Sequence, residues 1–114
     1  MNRESLLAPV ELQRETIVVP VKGEVRLREL SGADWDEFQL ALYREQDQEA
    51  RGVQYRALLT TFAVVDVHDQ RLLTVDDAPA LLALPKTIAE PLFDAVMRVN
   101  KLTEDPVKNS DGGP

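Results

Sequence analysis

Asp66, His68 and Asp69 put three potential metal ligands within four residues of this 114-residue chain, and His68 is its only histidine. Two carboxylates and an imidazole could hold a metal ion weakly, but a working site needs another ligand from elsewhere in the fold. In a short connector the same residues have a plainer use. Asp side chains in turns accept hydrogen bonds from nearby backbone N–H groups, and a solvated turn is the reading adopted here. Asp76 and Asp77 form a second acidic pair. Neighbours on a helix point in different directions and do not share a proton, so these two read as first-turn residues that favour a helix N-terminus.

The chain has no cysteine, which removes disulfides, thiolate nucleophiles and sulfur-ligated metals together and fits a reducing compartment. The sequence contains no glycine-rich phosphate loop, no paired metal-ligand spacing and no nucleophile elbow. Catalysis, a cofactor and a bound metal are therefore not expected. With 13 Lys and Arg against 20 Asp and Glu, the net charge of −7 repels phosphate backbones, and no basic run is segregated from the acidic surface. Arg26 and Arg28 stand alone on one strand face, so nucleic-acid binding is not expected. The N-terminal residues lack an apolar run of the roughly 18 residues that a membrane span requires. The expected location is cytoplasmic.

Partner binding remains. The apolar stripes of the helices either fill a core or expose a part of themselves as a groove for a partner helix. The set Phe62, Leu92, Phe93, Val96 and Met97 is the candidate for the second use, because two adjacent stripes exceed what one buried face needs. Trp35 is assigned to the core. Aromatic residues make up 5% of the chain, so Ala, Leu and Val are expected to supply most of the interior.

The elements that would position these residues follow from periodicity. Residues 1–14 lack a sustained period and are interrupted by Pro9, which predicts an arm with Leu6, Leu7, Val10 and Leu12 as docking anchors. Two strands follow around a turn. The first runs through Ile17, Val18 and Val19, and Pro20 makes it an edge strand or ends it. The second alternates, with Val25 and Leu27 toward the core and Glu24, Arg26 and Arg28 toward solvent. Gly23 suits a turn position with positive φ.

Ser31 and Asp34 predict a capped helix to about residue 50, carrying Trp35, Phe38, Ala41 and Leu42 on one face. Gly52 breaks or kinks the path before a central helix over 53–65. A strand through Phe62–Val65 is the alternative ending, because β-branched residues cluster there, but helical spacing favours one continuous element. Thr74 and its acidic followers cap a short helix with Leu81, Leu82 and Leu84, which Pro85 stops. Thr87 caps the last helix, with Pro91 in its first turn. The fold class is α+β and mainly helical: an N-terminal two-stranded ribbon and about four helices. One globular domain spans 15–102, and a disordered polar tail spans 103–114.

Several segments together resemble the tail assembly chaperones of siphovirus-type phages and prophages. They are Gly23-Glu24-Val25-Arg26-Leu27-Arg28-Glu29-Leu30-Ser31, the helix through Trp35 and Phe38, and the Leu-rich helix at Asp76 to Leu84. The Pro85 break, the last helix ending Val99-Asn100-Lys101-Leu102, and the polar tail with Lys108-Asn109-Ser110 complete the set. The resemblance covers most of the chain and lies in the order and spacing of these pieces. It implies a non-catalytic assembly factor that coats the tape measure protein, keeps it soluble and helps recruit tail tube subunits. It also implies self-association, residence in the host cytoplasm and absence from the mature virion. Many such proteins have a longer form made by programmed ribosomal frameshifting, and this chain would be the short form. Val107-Lys108-Asn109 can be encoded as GTA-AAA-AAC, which contains a slippery heptamer. The competing readings are a structural tail or head-tail connector subunit and a bacterial regulatory adaptor or antitoxin.

Overall fold

A computed structural model describes residues 1–102; the tail expected at 103–114 lies outside the described residues. The fold is α+β and mainly helical. A one-turn helix α1 (Arg3–Leu7) precedes a hairpin of β1 (Arg14–Val19) and β2 (Gly23–Arg28). Helices α2 (Gly32–Tyr43) and α3 (Gln48–Ala63) follow, then a short β3 (Val64–Val65), α4 (Ala78–Leu82) and α5 (Lys86–Val99). The antiparallel sheet has the order β1-β2-β3. β1 begins at Arg14, one residue inside the span assigned to the arm.

The hairpin follows its sequence signals. β1 stops at Val19, before Pro20, and occupies the sheet edge. The Lys22 N–H donates to the Val19 carbonyl at 3.1 Å to close the turn, and Gly23 takes a φ of +90° that an L side chain resists. Leu27 is fully buried while Glu24 and Arg26 are exposed, as a period of two requires.

Helix boundaries differ from expectation at several points. α2 ends at Tyr43 rather than near residue 50, because the polar run that follows offers nothing to bury, and Asp47 caps a new helix by accepting from the Glu49 N–H at 3.2 Å. Gly52 does not break the path. It lies exposed in the early turns of α3, and its helix cost of about 1 kcal/mol is offset by the continuous burial of Ala57 to Ala63 farther along. The end of α3 is a strand after all. Val64 and Val65 leave the helix and pair with Leu27 and Arg26, so β3 adds a third strand to the expected ribbon.

The last helix starts at Lys86, with Pro85 rather than Thr87 in the cap position. Pro91 is consequently the sixth residue of α5, beyond the first turn, where its missing N–H removes a bond that the Thr87 carbonyl would accept. The 3₁₀ turn Val75–Asp77 leads into α4, and the Thr74 N–H donates to Asp77 Oδ2 at 2.8 Å.

The core gathers on α3 and α5. α5 packs against α3 on one side and against β1 and β2 on the other. Phe38 at the centre meets Trp35, Tyr55 and Phe62 at ring-centroid distances of 5.1, 5.2 and 6.1 Å. The few aromatics thus contribute more to the interior than their number suggested, since all three phenylalanines are buried. Thr60 and Thr61, also buried, satisfy their hydroxyls on the carbonyls of Arg56 and Leu58 at 2.8 and 2.6 Å.

Candidate functional site

The Asp66–Asp69 turn is held by its own backbone. Asp66 Oδ1 accepts from the N–H groups of His68 and Gln70 at 2.8 and 3.0 Å, and these bonds, led by that of Gln70, hold its carboxyl below the ordinary value. Asp69 faces the hairpin instead. It accepts from Arg14 Nε at 3.0 Å and from Arg28 Nη1 at 3.1 Å, and the two guanidinium groups, Arg14 foremost, hold its carboxyl well below the usual carboxylate range. Arg26 Nη1 reaches the Val67 carbonyl at 3.1 Å. The strand arginines are clamps on this turn. Among the described residues no group of three His, Cys, Asp or Glu side chains is arranged to hold a metal ion, and no helix is long and apolar enough to cross a membrane.

The five residues chosen as an exposed partner-binding stripe are all buried: Phe62, Leu92, Phe93, Val96 and Met97 lie at 6% exposure or less. The expected exposure is corrected by the position of α5, which is covered on two sides and therefore needs two apolar stripes. Two of the five nevertheless form the floors of open grooves on the surface. Leu92 lies under one, Phe62 under the other, and Phe93, Val96 and Met97 line neither.

The first groove, of about 340 Å³, runs between the β1–β2 hairpin, α4 and the start of α5. Its walls are Val19, Val25, Leu73, Leu81, Leu84 and Leu92, with Lys22 and Asp77 as its charged residues. α4 ends at Leu82 and Pro85 takes the N-cap of α5, so that Leu84 stands half-buried at the lip between them. Its chemistry suits an apolar side chain or the apolar face of a helix.

The second groove lies between α2 and the segment leading through Val75 into α4. Two adjoining depressions of about 450 and 310 Å³ share Ala41, Arg44 and Val75. Leu40 and Leu82 line it with 67% and 39% of their surface exposed. At one end Arg71 stacks over the Phe62 ring, 4.0 Å from its centroid, and donates from Nε to the Thr61 carbonyl at 3.1 Å. Its Nη2 is buried without a hydrogen-bond partner among the described residues. Sequence reading passed over Leu40, Leu73 and Arg71, and it placed Leu84 in the short helix, which ends instead at Leu82. Leu40 sits off the main stripe of α2, and Arg71 gives no sign in sequence of its stacking.

The segments that carried the family resemblance meet in space. Asn100 Oδ1 accepts from the Leu30 N–H at 2.9 Å, while its Nδ2 donates to the Val96 carbonyl at 2.9 Å. Lys101 follows with a φ of 57°, and the N–H groups of Lys101 and Leu102 return to the carbonyls of Arg98 and Met97 at 2.9 and 2.8 Å. This double return terminates the helix in a Schellman motif. On the other side, Ser31 and Asp34 form a reciprocal capping box at 3.1 and 3.2 Å.

No protein-family model matches the sequence, and no curated protein matches it. Among solved structures, the chain is similar to the tail assembly chaperone of bacteriophage HK97, with a TM-score of 0.56 and 22% identity. The match covers 84% of this chain and 97% of that one. The chain has a phage tail assembly chaperone-like fold.

Proposed function

We propose that this chain is a non-catalytic tail assembly chaperone of a long-tailed phage or prophage. In this reading it binds the tape measure protein, keeps it soluble and helps bring tail tube subunits to it. The observation that carries the reading is the fold shared with the HK97 tail assembly chaperone over nearly the whole of that protein. The groove between the hairpin, α4 and α5 supports it, being apolar-walled and open, as a client with amphipathic helices requires. A net charge of −7 supports it as well, because an acidic coat would keep a helical client dispersed. The protein would act in the host cytoplasm and be absent from the mature virion. The tube-recruiting role would belong mainly to a longer form made by frameshifting at Val107-Lys108-Asn109, residues outside those described.

Co-expression with the tape measure protein encoded nearby tests the reading. The expected result is co-purification and a soluble tape measure. Leu84→Glu and Leu73→Glu, at half-buried positions of the groove, should weaken capture by about 2 kcal/mol or more, roughly 30-fold in affinity, with unchanged circular dichroism. A folded, monodisperse chain that leaves the tape measure insoluble would overturn it. The gene itself tests the frameshift: no slippery site upstream of the stop would remove that part alone.

A further inference from the structure

The β1–β2 hairpin closes through a turn that one of its residues does not suit. The Val19 carbonyl accepts from the Lys22 N–H at 3.1 Å. Pro20 is second in this turn, where its fixed φ belongs, and Val21 is third, with a φ of 69°. A turn led by proline with a positive φ at its third residue has the form of type II, and that position calls for glycine or asparagine. Valine is among the residues least suited to it, because its branched side chain crowds the backbone in the left-handed region. Nothing in the fold offsets that strain. Val21 is 94% exposed and stands outside the core. Strain of this kind gathers at binding sites, where it serves a contact made with something else.

The turn borders the hairpin groove, which Val19, Lys22 and Val25 line. Lys22 is exposed and in no ion pair among the described residues. Asp77, the carboxylate of the same groove, is already engaged by the Thr74 N–H at 2.8 Å. Glu24 lies opposite Val18 on β1, and the period of two sets it on the other face of the sheet from Val25. The groove therefore ends in an exposed valine with a free cation beside it. We propose that Val21 is a contact residue for the client of this groove: it packs on the apolar face of a client helix, while Lys22 meets an acidic residue flanking that face. The proposal rests on the chaperone reading and extends it from the groove to its rim. On a body of net charge −7, a free lysine beside an apolar wall selects a helix whose stripe is flanked by a carboxylate. Burial of Val21 in the complex offsets the strain that the free chain carries.

Stability and capture should move in opposite directions, which separates this role from a structural one. Val21→Asn accepts the left-handed region and removes the apolar surface. Its denaturant midpoint should rise above the parent's with unchanged slope. When parent and Val21→Asn are co-expressed under different tags with the tape measure protein, the captured tape measure should carry the parent over the variant by about tenfold. Val21→Ile keeps both the branched side chain and its strain, and should compete as the parent does. Lys22→Glu should be outcompeted, and Lys22→Arg should not. A Val21→Asn chain no more stable than the parent, or a Lys22→Glu chain that competes equally, would overturn the proposal. A parent that captures no tape measure would overturn the chaperone reading and this contact together, whereas a capturing parent matched by Val21→Asn would overturn the contact alone.

Discussion

Single residues with unusual conformations or charges decide much of the local energetics. Lys101 carries a positive φ where the Schellman motif requires one, and a non-glycine residue there gives up about 1 kcal/mol. Lys101→Gly should therefore raise the unfolding free energy by about that amount, read as a higher denaturant midpoint with unchanged slope. Asp69 supplies a pH-dependent counterpart. Its carboxyl is held below the unfolded value, so its contribution is complete above the unfolded pKa of about 3.9 and is lost as pH falls toward the depressed folded value. Asp69→Asn keeps a side chain that tolerates the residue's φ of 66°. The variant should be less stable than the parent by a constant margin near neutral pH, and the margin should close only in strong acid. A margin that already closes at pH 5 would show that the arginine clamp does not hold in solution.

Elements are joined by few polar contacts, and Asn100 is one that can be tested. Asn100→Ala leaves the half-buried Leu30 N–H without its partner, which should cost about 1–3 kcal/mol in thermal or chemical unfolding. Pro91→Ala should act in the opposite direction. It restores a helix donor at an exposed position, for a gain of about 1–2 kcal/mol after allowing for the stiffer unfolded chain that proline provides. At this scale the sequence was readable where a boundary has a local cause. Ser31 with Asp34, Gly23 and Pro20 each act within a few residues of chain, and each lies where periodicity and capping put it, whereas Pro85 takes the cap position expected of Thr87. Boundaries decided by distant partners were not readable. Val64 and Val65 become a strand because Arg26 and Leu27 offer an edge, and Gly52 stays helical because residues downstream are buried.

For the whole molecule, the candidate site was legible only in part, for a similar reason. Periodicity shows that α5 has two apolar stripes, but whether the second faces solvent depends on β1 and β2 covering it. The surfaces left open are set by where α4 stops and where α2 ends, and they use side chains such as Leu40 and Leu84 that stand at the margins of the stripes. The fold itself was legible through the order of segments, since the pieces that carried the resemblance are those that meet around Leu30 and Asn100. At this scale the open hairpin groove predicts that variants at Leu84 lose tape measure capture while keeping the parent's circular dichroism.

The Leu30–Asn100 contact spans 70 residues, and this gives the protein a timetable. The hairpin is among the first structures to leave the ribosome, yet the helix that covers its apolar face comes among the last described residues. At about 5–20 residues per second, the covered face of β1 and β2 waits roughly 3–14 seconds for its own α5. During that interval Ile17, Val19, Val25 and Leu27 are a temporary sticky surface on a nascent chain. The protein that is proposed to shelter another chain's apolar helices must first pass through the same exposure itself.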